Sequence, residues 1–273
     1  MSTTEPLPPD AAAGEAAVPQ AGAGLPAVRR VGALAPLGWL AAGARDFRAN
    51  PAQSAFYGAC FALMGWLIAL TFRHAYAYVS ALTTGFFLVG PFLAIGLYAL
   101  SRRRARGEPA LLAPTLDAWR PNFGAVGIFA LVLIVILLVW ARASLVVFAL
   151  FYTREMPSLE GFLGQVVSLR NPEFLIAYLV VGGIFAMLVF AISVVSVPMM
   201  LDRDADGITA VLTSLRAFGD NLGAMAVWGA LIIVVVAAGF ALWFLGLVVA
   251  VPLIGHATWH AYRAMVVDAP AGA

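Results

Sequence analysis

The sequence has 273 residues, of which 63% are hydrophobic and only 11% are charged, and its formal net charge is +2 at pH 7. Soluble domains carry about 25% charged residues, so this composition excludes a water-soluble globular protein and indicates an α-helical membrane protein. All basic residues are arginines without a dense basic patch, which excludes a nucleic-acid partner, and the single cysteine, Cys60, excludes an internal disulfide.

The N-terminal segment, residues 1–35, is rich in Ala, Pro and Gly and lacks the basic and apolar regions of a signal peptide. Because it has too few apolar residues to offset the entropy of ordering, we predict a disordered cytoplasmic tail. We expect a transmembrane domain over residues 36–267 and a second disordered tail over residues 268–273.

Five uncharged apolar runs are each long enough to cross about 30 Å of hydrocarbon. They are residues 52–72, 78–100, 123–141, 174–200 and 222–262. The last run is about twice as long as one crossing needs, so we interpret it as two antiparallel spans separated near residues 241–246. The alternative is one strongly kinked helix. The predicted fold is therefore an all-α membrane bundle of six transmembrane helices.

The arginines are distributed unevenly between the two ends of this predicted bundle. Twelve of the sixteen lie in segments at one end, and Arg73, Arg142, Arg154 and Arg170 lie at the other. Because cytoplasmic segments carry the excess of basic residues, we predict that both termini are cytoplasmic.

Short segments before the first, third and fifth spans share one spacing of three apolar residues followed by asparagine. They are Leu40, Ala44, Phe47 and Asn50; Leu112, Leu116, Trp119 and Asn122; and Val211, Leu215, Phe218 and Asn221. The spacing predicts short amphipathic helices in the membrane interface, each with an asparagine that caps the next helix. Each following hairpin has a proline in its second span, Pro91, Pro198 or Pro252. We infer three degenerate hairpin repeats, with chance similarity of apolar sequence as the alternative.

The segment 143–172 enlarges the middle repeat on the side opposite the termini. Its apolar residues between positions 158 and 168 fall on one helical face. We expect an amphipathic helix there that lies on the membrane or plugs the bundle, two alternatives that the pattern does not separate.

Two groups of residues are candidates for chemistry. His256 and His260 share one helical face and could ligate a metal, although no acidic residue lies near them in the sequence and a complete ligand set would need a partner chain. Interfacial hydrogen bonding is the simpler interpretation of these histidines.

Asp202, Asp204 and Asp206 surround Arg203 after the fourth span and could hold a divalent cation. The calcium-loop pattern is missing, so capping of the next helix is the simpler role. We therefore predict no catalytic residue, no cofactor and no metal site, and keep the two histidines and three aspartates as candidates only.

The predicted spans contain no Asp, Glu or Lys away from their ends, which argues against ion-coupled transport. The leading hypothesis is a non-enzymatic scaffold or assembly partner that contacts the lipid bilayer and other membrane proteins. The alternative is an uncoupled permease or channel for a small neutral or anionic solute, with a path lined by Ser80, Thr83, Thr84, Ser193 and Ser196. A third hypothesis is a membrane enzyme or metal-binding protein in which the histidines and aspartates converge.

Three segments carry a family resemblance, namely Met200-Leu-Asp-Arg-Asp-Ala-Asp206, Leu212-Thr-Ser-Leu-Arg216 and Gly255-His-Ala-Thr-Trp-His-Ala-Tyr-Arg263. They resemble an uncharacterised family of bacterial integral membrane proteins, the domain of unknown function 2189 family. The resemblance covers about residues 36–266. It implies a multi-pass protein of the bacterial cytoplasmic (inner) membrane without an assigned activity, and it assigns a role to no residue.

Overall fold

The computed structural model describes residues 25–74, 79–151, 172–203 and 205–267, and these residues form an all-helical protein, as predicted. The helices are α1 (Ala35–Ala49), α2 (Pro51–His74), α3 (Val79–Ala105), α4 (Leu112–Leu116), a 3-10 turn (Arg120–Asn122), α5 (Phe123–Phe151), α6 (Pro172–Ser193), α7 (Ser196–Arg203), α8 (Gly207–Asp220), α9 (Leu222–Ala241) and α10 (Leu247–Met265). Residues 1–24 and 268–273 of the two predicted tails lie outside the described residues, as do residues 152–171 of the predicted outer segment.

In the part of the chain that the structure describes, four helical stretches are long and apolar enough to cross a membrane. They are residues 51–71, 112–151, 172–203 and 222–241. On α5, Leu131, Val135 and Leu138 expose 58%, 51% and 55% of their surfaces. A continuous apolar surface of this kind is unfavourable in water and matches a hydrocarbon solvent, in which a helix satisfies its own backbone hydrogen bonds.

The long run 222–262 is divided into two helices joined by a tight turn. Helix α9 ends at Ala241 and α10 begins at Leu247, and Trp243 and Phe244 in the turn have positive φ angles of 54° and 65°. A Cβ atom added to Gly246 would lie 2.7 Å from the Cα atom of Gly239, so the two backbones approach closely. The break falls where it was predicted, and the alternative of one kinked helix is wrong.

The amphipathic helix α8 buries a face of small and polar residues, and the buried face of α1 adds a tryptophan to residues of these kinds. In α8, Ala210, Ser214 and Ala217 are buried, whereas Ile208 and Leu212 are exposed. In α1, the buried face includes Trp39, Gly43 and Asp46. Helices in lipid pack through small residues because apolar side chains gain nothing by leaving hydrocarbon. Of the stripe predicted for α8, only Leu215 is exposed, whereas Val211 and Phe218 pack against the core.

The described part of the chain begins and ends in one short pairing of extended backbone. Val28 bridges Val266, and the N–H of Arg29 donates to the carbonyl of Met265 at 2.7 Å. The side chain of Asn221 accepts from the N–H of Val31 at 2.7 Å and makes no capping bond to α9. The expectation of a disordered tail up to residue 35 is therefore wrong for residues 25–34, and the capping role expected of Asn221 is wrong as well.

Candidate functional site

Four helices bring six polar side chains together near the paired ends of the described chain. Asp46 comes from α1, Ser54 from α2, Ser101 and Arg104 from α3, and His256 and His260 from α10. The two histidines are four residues apart and Ser101 and Arg104 are three apart, so each pair projects from one face of its helix. We call these six residues the buried polar cluster.

His256 lies at the centre of the buried polar cluster and is fully buried. Its Nε2 atom is 2.9 Å from the Oγ atom of Ser54, and its Nδ1 atom is 2.8 Å from the Oγ atom of Ser101. Both ring nitrogens are therefore engaged by hydroxyl groups from two other helices.

Asp46 is the acceptor on which the cluster converges. Its Oδ2 atom accepts from the Oγ of Ser101 at 2.6 Å and lies 2.9 Å from the Nε2 of His260. Its Oδ1 atom accepts from the guanidinium of Arg104 at 2.6 Å. Burial raises the pKa of Asp46, but the hydrogen bonds from His260 and Ser101 outweigh it, so the pKa lies below its ordinary value. Asp46 is therefore ionised at neutral pH.

When the ring of His256 is neutral, the number of available hydrogens decides which group donates in each of these hydrogen bonds. The single hydroxyl hydrogen of Ser101 goes to Asp46, so Nδ1 of His256 must donate to Ser101. Nε2 then carries no hydrogen and accepts from Ser54. Every donor in the series is thus satisfied, and the series ends on a carboxylate.

The order Ser54, His256, Ser101 and Asp46 resembles a nucleophile activated by a base, yet its surroundings do not suit catalysis. Ser54 and His256 have no exposed surface, and Ser101 retains 2%. A nucleophile must reach a substrate atom, and a substrate would have to separate the packed helices to reach this hydroxyl. The geometry suits a polar connection between helices.

The predicted histidines therefore lie together, but with a partner that sequence reasoning missed. No acidic residue lies near the histidines in the sequence, but Asp46 of α1 contacts His260 across 214 positions of the same chain. The expectation that a complete metal ligand set would need a partner chain stays a prediction. In the described parts of the chain, no three His, Cys, Asp or Glu side chains form a group that could hold a metal ion.

The aspartates after the fourth span have other partners. Asp202 accepts from the hydroxyl of Tyr262 at 2.9 Å and from Arg263 at 3.3 Å. Asp206 accepts from the N–H groups of Ile208 and Thr209 at 2.9 Å, which confirms its predicted role as the cap of α8. The hydrogen bond with the side chain of Thr209 contributes most to holding the pKa of Asp206 below its ordinary value, followed by the bond from the Thr209 N–H group.

Asp204 lies outside the described residues. Among the described hydrogen bonds, none joins Asp202 or Asp206 to either histidine, so the convergence required by the enzyme hypothesis is not found there.

The side chains proposed to line a permeation path are described only in part. The hydroxyl of Ser193 donates to the carbonyl of Val189 at 2.5 Å, and that of Ser196 donates to the carbonyl of Ile192. Both are hydrogen bonds within one helical turn, which satisfy the hydroxyl without a solute or water. The side chains of Ser80, Thr83 and Thr84 lie outside those the structure describes.

Sequence reasoning missed Asp46, Ser54, Ser101 and Arg104. One signal was available, because Asp46 is the only acidic residue between positions 16 and 107 and shares a helical face with Trp39 and Gly43. A lone carboxylate on the small-residue face of an amphipathic helix faces the bundle and needs a partner there.

Comparison with known proteins gives a family match over part of the chain. Residues 78–202 match the family described as predicted integral membrane protein (DUF2189). The match confirms the resemblance predicted from the sequence over this part of the chain. No curated protein and no solved structure matches the chain.

Proposed function

Since the chain is an integral membrane protein whose residues 78–202 match the DUF2189 family, we propose that it is a non-enzymatic scaffold or assembly partner in the bacterial inner membrane. The observation that carries this proposal is the buried polar cluster. Its serine, histidine and aspartate side chains are paired with one another between packed helices, so their role is to stabilise the fold. This supports a function based on contact with other membrane proteins rather than on catalysis.

The order of the helices supports six spans arranged as three repeats. A short helix precedes a hairpin three times: α1 precedes α2 and α3, α4 precedes α5 and the α6–α7 pair, and α8 precedes α9 and α10. Helix α10 has 19 residues, and at about 1.5 Å per residue it can cross most of the hydrocarbon layer. Its second half contains the two histidines, which lower its mean hydropathy and explain why hydropathy alone does not identify it as a membrane span.

Contacts among the arginine-rich segments support one orientation for both ends of the domain. Arg104 pairs with Asp46 at 2.6 Å, and Arg203 donates to the carbonyl of Val267 at 3.1 Å. Segments far apart in sequence thus meet at one end of the bundle. Because arginines are enriched at this end, the positive-inside rule assigns it to the cytoplasm.

The outward apolar stripe of α8 offers a surface for protein contact at this end. Ile208, Leu212 and Leu215 lie at positions i, i+4 and i+7, and all are exposed. A stripe with this spacing packs against lipid or against an apolar face of another membrane protein. We assign the second role to this stripe, in keeping with a protein that acts by contact.

The test is site-specific photo-crosslinking in native membranes from Leu212, with Val132 on α5 as a control of similar exposure. We expect a discrete protein adduct from Leu212 that saturates with irradiation and only lipid adducts from Val132. Lipid adducts alone at both positions would contradict the proposal.

A flux assay separates the alternative function. Purified protein in liposomes is challenged with glycerol, urea and chloride, and protein-free liposomes serve as the control. We expect no added flux. A solute flux that depends on the protein would replace the scaffold proposal with an uncoupled permease or channel.

A further inference from the structure

The outward face of α1 carries two arginines next to the first membrane span. Arg45 and Arg48 lie about one helical turn apart, and both are exposed. They precede the apolar span that begins at Pro51 by only six and three residues. Basic residues this close to the end of a span reach the level of the lipid headgroups.

Neither arginine has an acidic partner in the part of the chain that the structure describes. Their side chains form no ion pair and no hydrogen bond there. The one carboxylate of α1, Asp46, is buried and accepts from Arg104 and Ser101, both at 2.6 Å. The positive charges of Arg45 and Arg48 are therefore uncompensated within the described residues.

The corresponding helix α8 has an internal partner that α1 lacks. The spacing shared by the two helices aligns Arg45 with Arg216. In α8 the Nε atom of Arg216 lies 3.7 Å from the carboxylate of Asp220, four residues later. In α1 the same position is occupied by Ala49, which offers Arg45 no charge.

The outward face of α1 is apolar in its first half. Leu34, at the N-cap, and Leu37 expose 69% and 51% of their surfaces, and Ala41 is also exposed. Together with the two arginines, these residues recur every three to four positions and form one stripe along the helix. An apolar stripe that ends in arginines suits the boundary between acyl chains and phosphate groups, whereas an acidic peptide would satisfy only the charge.

We propose that the outward face of α1 binds the headgroups of anionic phospholipids, with Arg45 and Arg48 donating to phosphate oxygens and the leucines facing the acyl chains. The planar guanidinium suits two parallel hydrogen bonds to a phosphate. Near a membrane surface each basic residue adds about a fivefold preference for anionic lipid, so two arginines give about 25-fold. This binding requires only that the chain lies in a membrane, and it is independent of the scaffold proposal.

The test compares the lipids that gather next to α1 in phosphatidylcholine liposomes. The full-length Cys60→Ser, Ala41→Cys variant carries a fluorophore on its new cysteine, and a nitroxide is placed on the same acyl carbon of phosphatidylglycerol or phosphatidylcholine. We expect labelled phosphatidylglycerol to reach half-maximal quenching at about 25-fold lower mole fraction than labelled phosphatidylcholine. The difference should shrink in about 1 M salt, where the screening length falls to about 3 Å. Equal quenching by the two lipids would overturn the proposal.

Two double variants separate this face from a general effect of charge. Arg45→Gln/Arg48→Gln should be quenched equally by the two lipids, a loss of about 25-fold in preference. Arg120→Gln/Arg216→Gln is the matched control, because it removes two exposed arginines that are each already paired with an aspartate, at 3.0 and 3.7 Å. The control should keep the preference of the wild type. Equal losses in the two double variants would contradict the proposal.

A gain of an acidic partner and two competitors complete the test. Ala49→Asp should give Arg45 the kind of partner that Arg216 has in α8 and should lower the preference about fivefold, whereas an unchanged preference would contradict the role of Arg45. Neither inorganic phosphate nor soluble polyglutamate should displace phosphatidylglycerol at equal charge. Displacement by phosphate would show a site for a free anion, displacement by polyglutamate would show a surface for an acidic peptide, and either result would refute the lipid assignment.

Discussion

Replacement of Asp46 by asparagine is the sharpest perturbation of the buried polar cluster, because it keeps the side-chain shape and removes the charge. One carboxylate oxygen accepts from Ser101 and lies next to His260, and the other accepts from Arg104. Whichever way the new amide turns, its NH₂ group faces at least one donor. A donor then loses its acceptor, and the series that ends on Asp46 is broken.

The expected cost follows from the exposure of each partner. Ser101 is buried, so the loss of its acceptor costs about 1–3 kcal/mol. Arg104 and His260 are partly exposed, where water screens the lost charge, so together they add about 1 kcal/mol. Asp46→Asn should therefore lower the free energy of unfolding by about 1 kcal/mol if the new NH₂ group faces Arg104, and by up to about 4 kcal/mol if it faces Ser101.

The assay is unfolding by sodium dodecyl sulfate in mixed micelles, followed by far-ultraviolet circular dichroism. Asp220→Asn is the control, because Asp220 forms an ion pair with Arg216 at 3.7 Å on the surface of α8. That control should lose less than about 0.5 kcal/mol. Equal and small losses in the two variants would refute the reasoning that the buried polar cluster holds the four helices together.

Three further predictions test the packing, the charge and the chain ends. Gly43→Ala should lower the free energy of unfolding by about 1–3 kcal/mol in the same assay, because its Cβ would lie 2.7 Å from the N atom of Ala257. Its control is Gly38→Ala, which has open space around it and should stabilise α1 by about 0.5–1 kcal/mol. Because the folded-state pKa of Asp46 lies below its ordinary value, its contribution is present at neutral pH and is lost as the pH falls below about 4. The stability difference between wild type and Asp46→Asn should shrink over that range, and a constant difference would contradict the assignment. Asn221→Ala should speed hydrogen exchange across residues 25–34, because the N–H of Val31 loses its acceptor, and unchanged exchange would contradict that role.

Hydropathy predicted much of the fold because apolar length is a property of local sequence. The runs at 52–72 and 123–141 lie within α2 and α5, and the break near residues 241–246 falls at the observed turn. Amphipathic spacing gave α8 the apolar stripe Val211, Leu215 and Phe218, but Val211 and Phe218 pack against the core and only Leu215 is exposed. The small residues on the buried face of α8 explain how it packs.

The buried polar cluster was not predictable in the same way. Its key contact joins Asp46 and His260, which no sequence periodicity relates, and it depends on how α1 crosses α10. The close approach of these helices depends on Gly43, whose missing side chain leaves room for the backbone of α10. The order of residues 25–34 was also missed, since a single β-bridge and the side chain of Asn221 hold a segment whose composition alone predicts disorder.

Cysteine labelling in intact cells tests the six-span arrangement with both ends in the cytoplasm most directly. In a Cys60→Ser background, single cysteines replace Arg30, Arg216 and Leu245, all of which are exposed. A membrane-impermeant maleimide should label position 245 from outside, and positions 30 and 216 only after the membrane is permeabilised. Labelling of positions 216 and 245 from the same side would show that α9 and α10 do not form a transmembrane hairpin and would contradict the account.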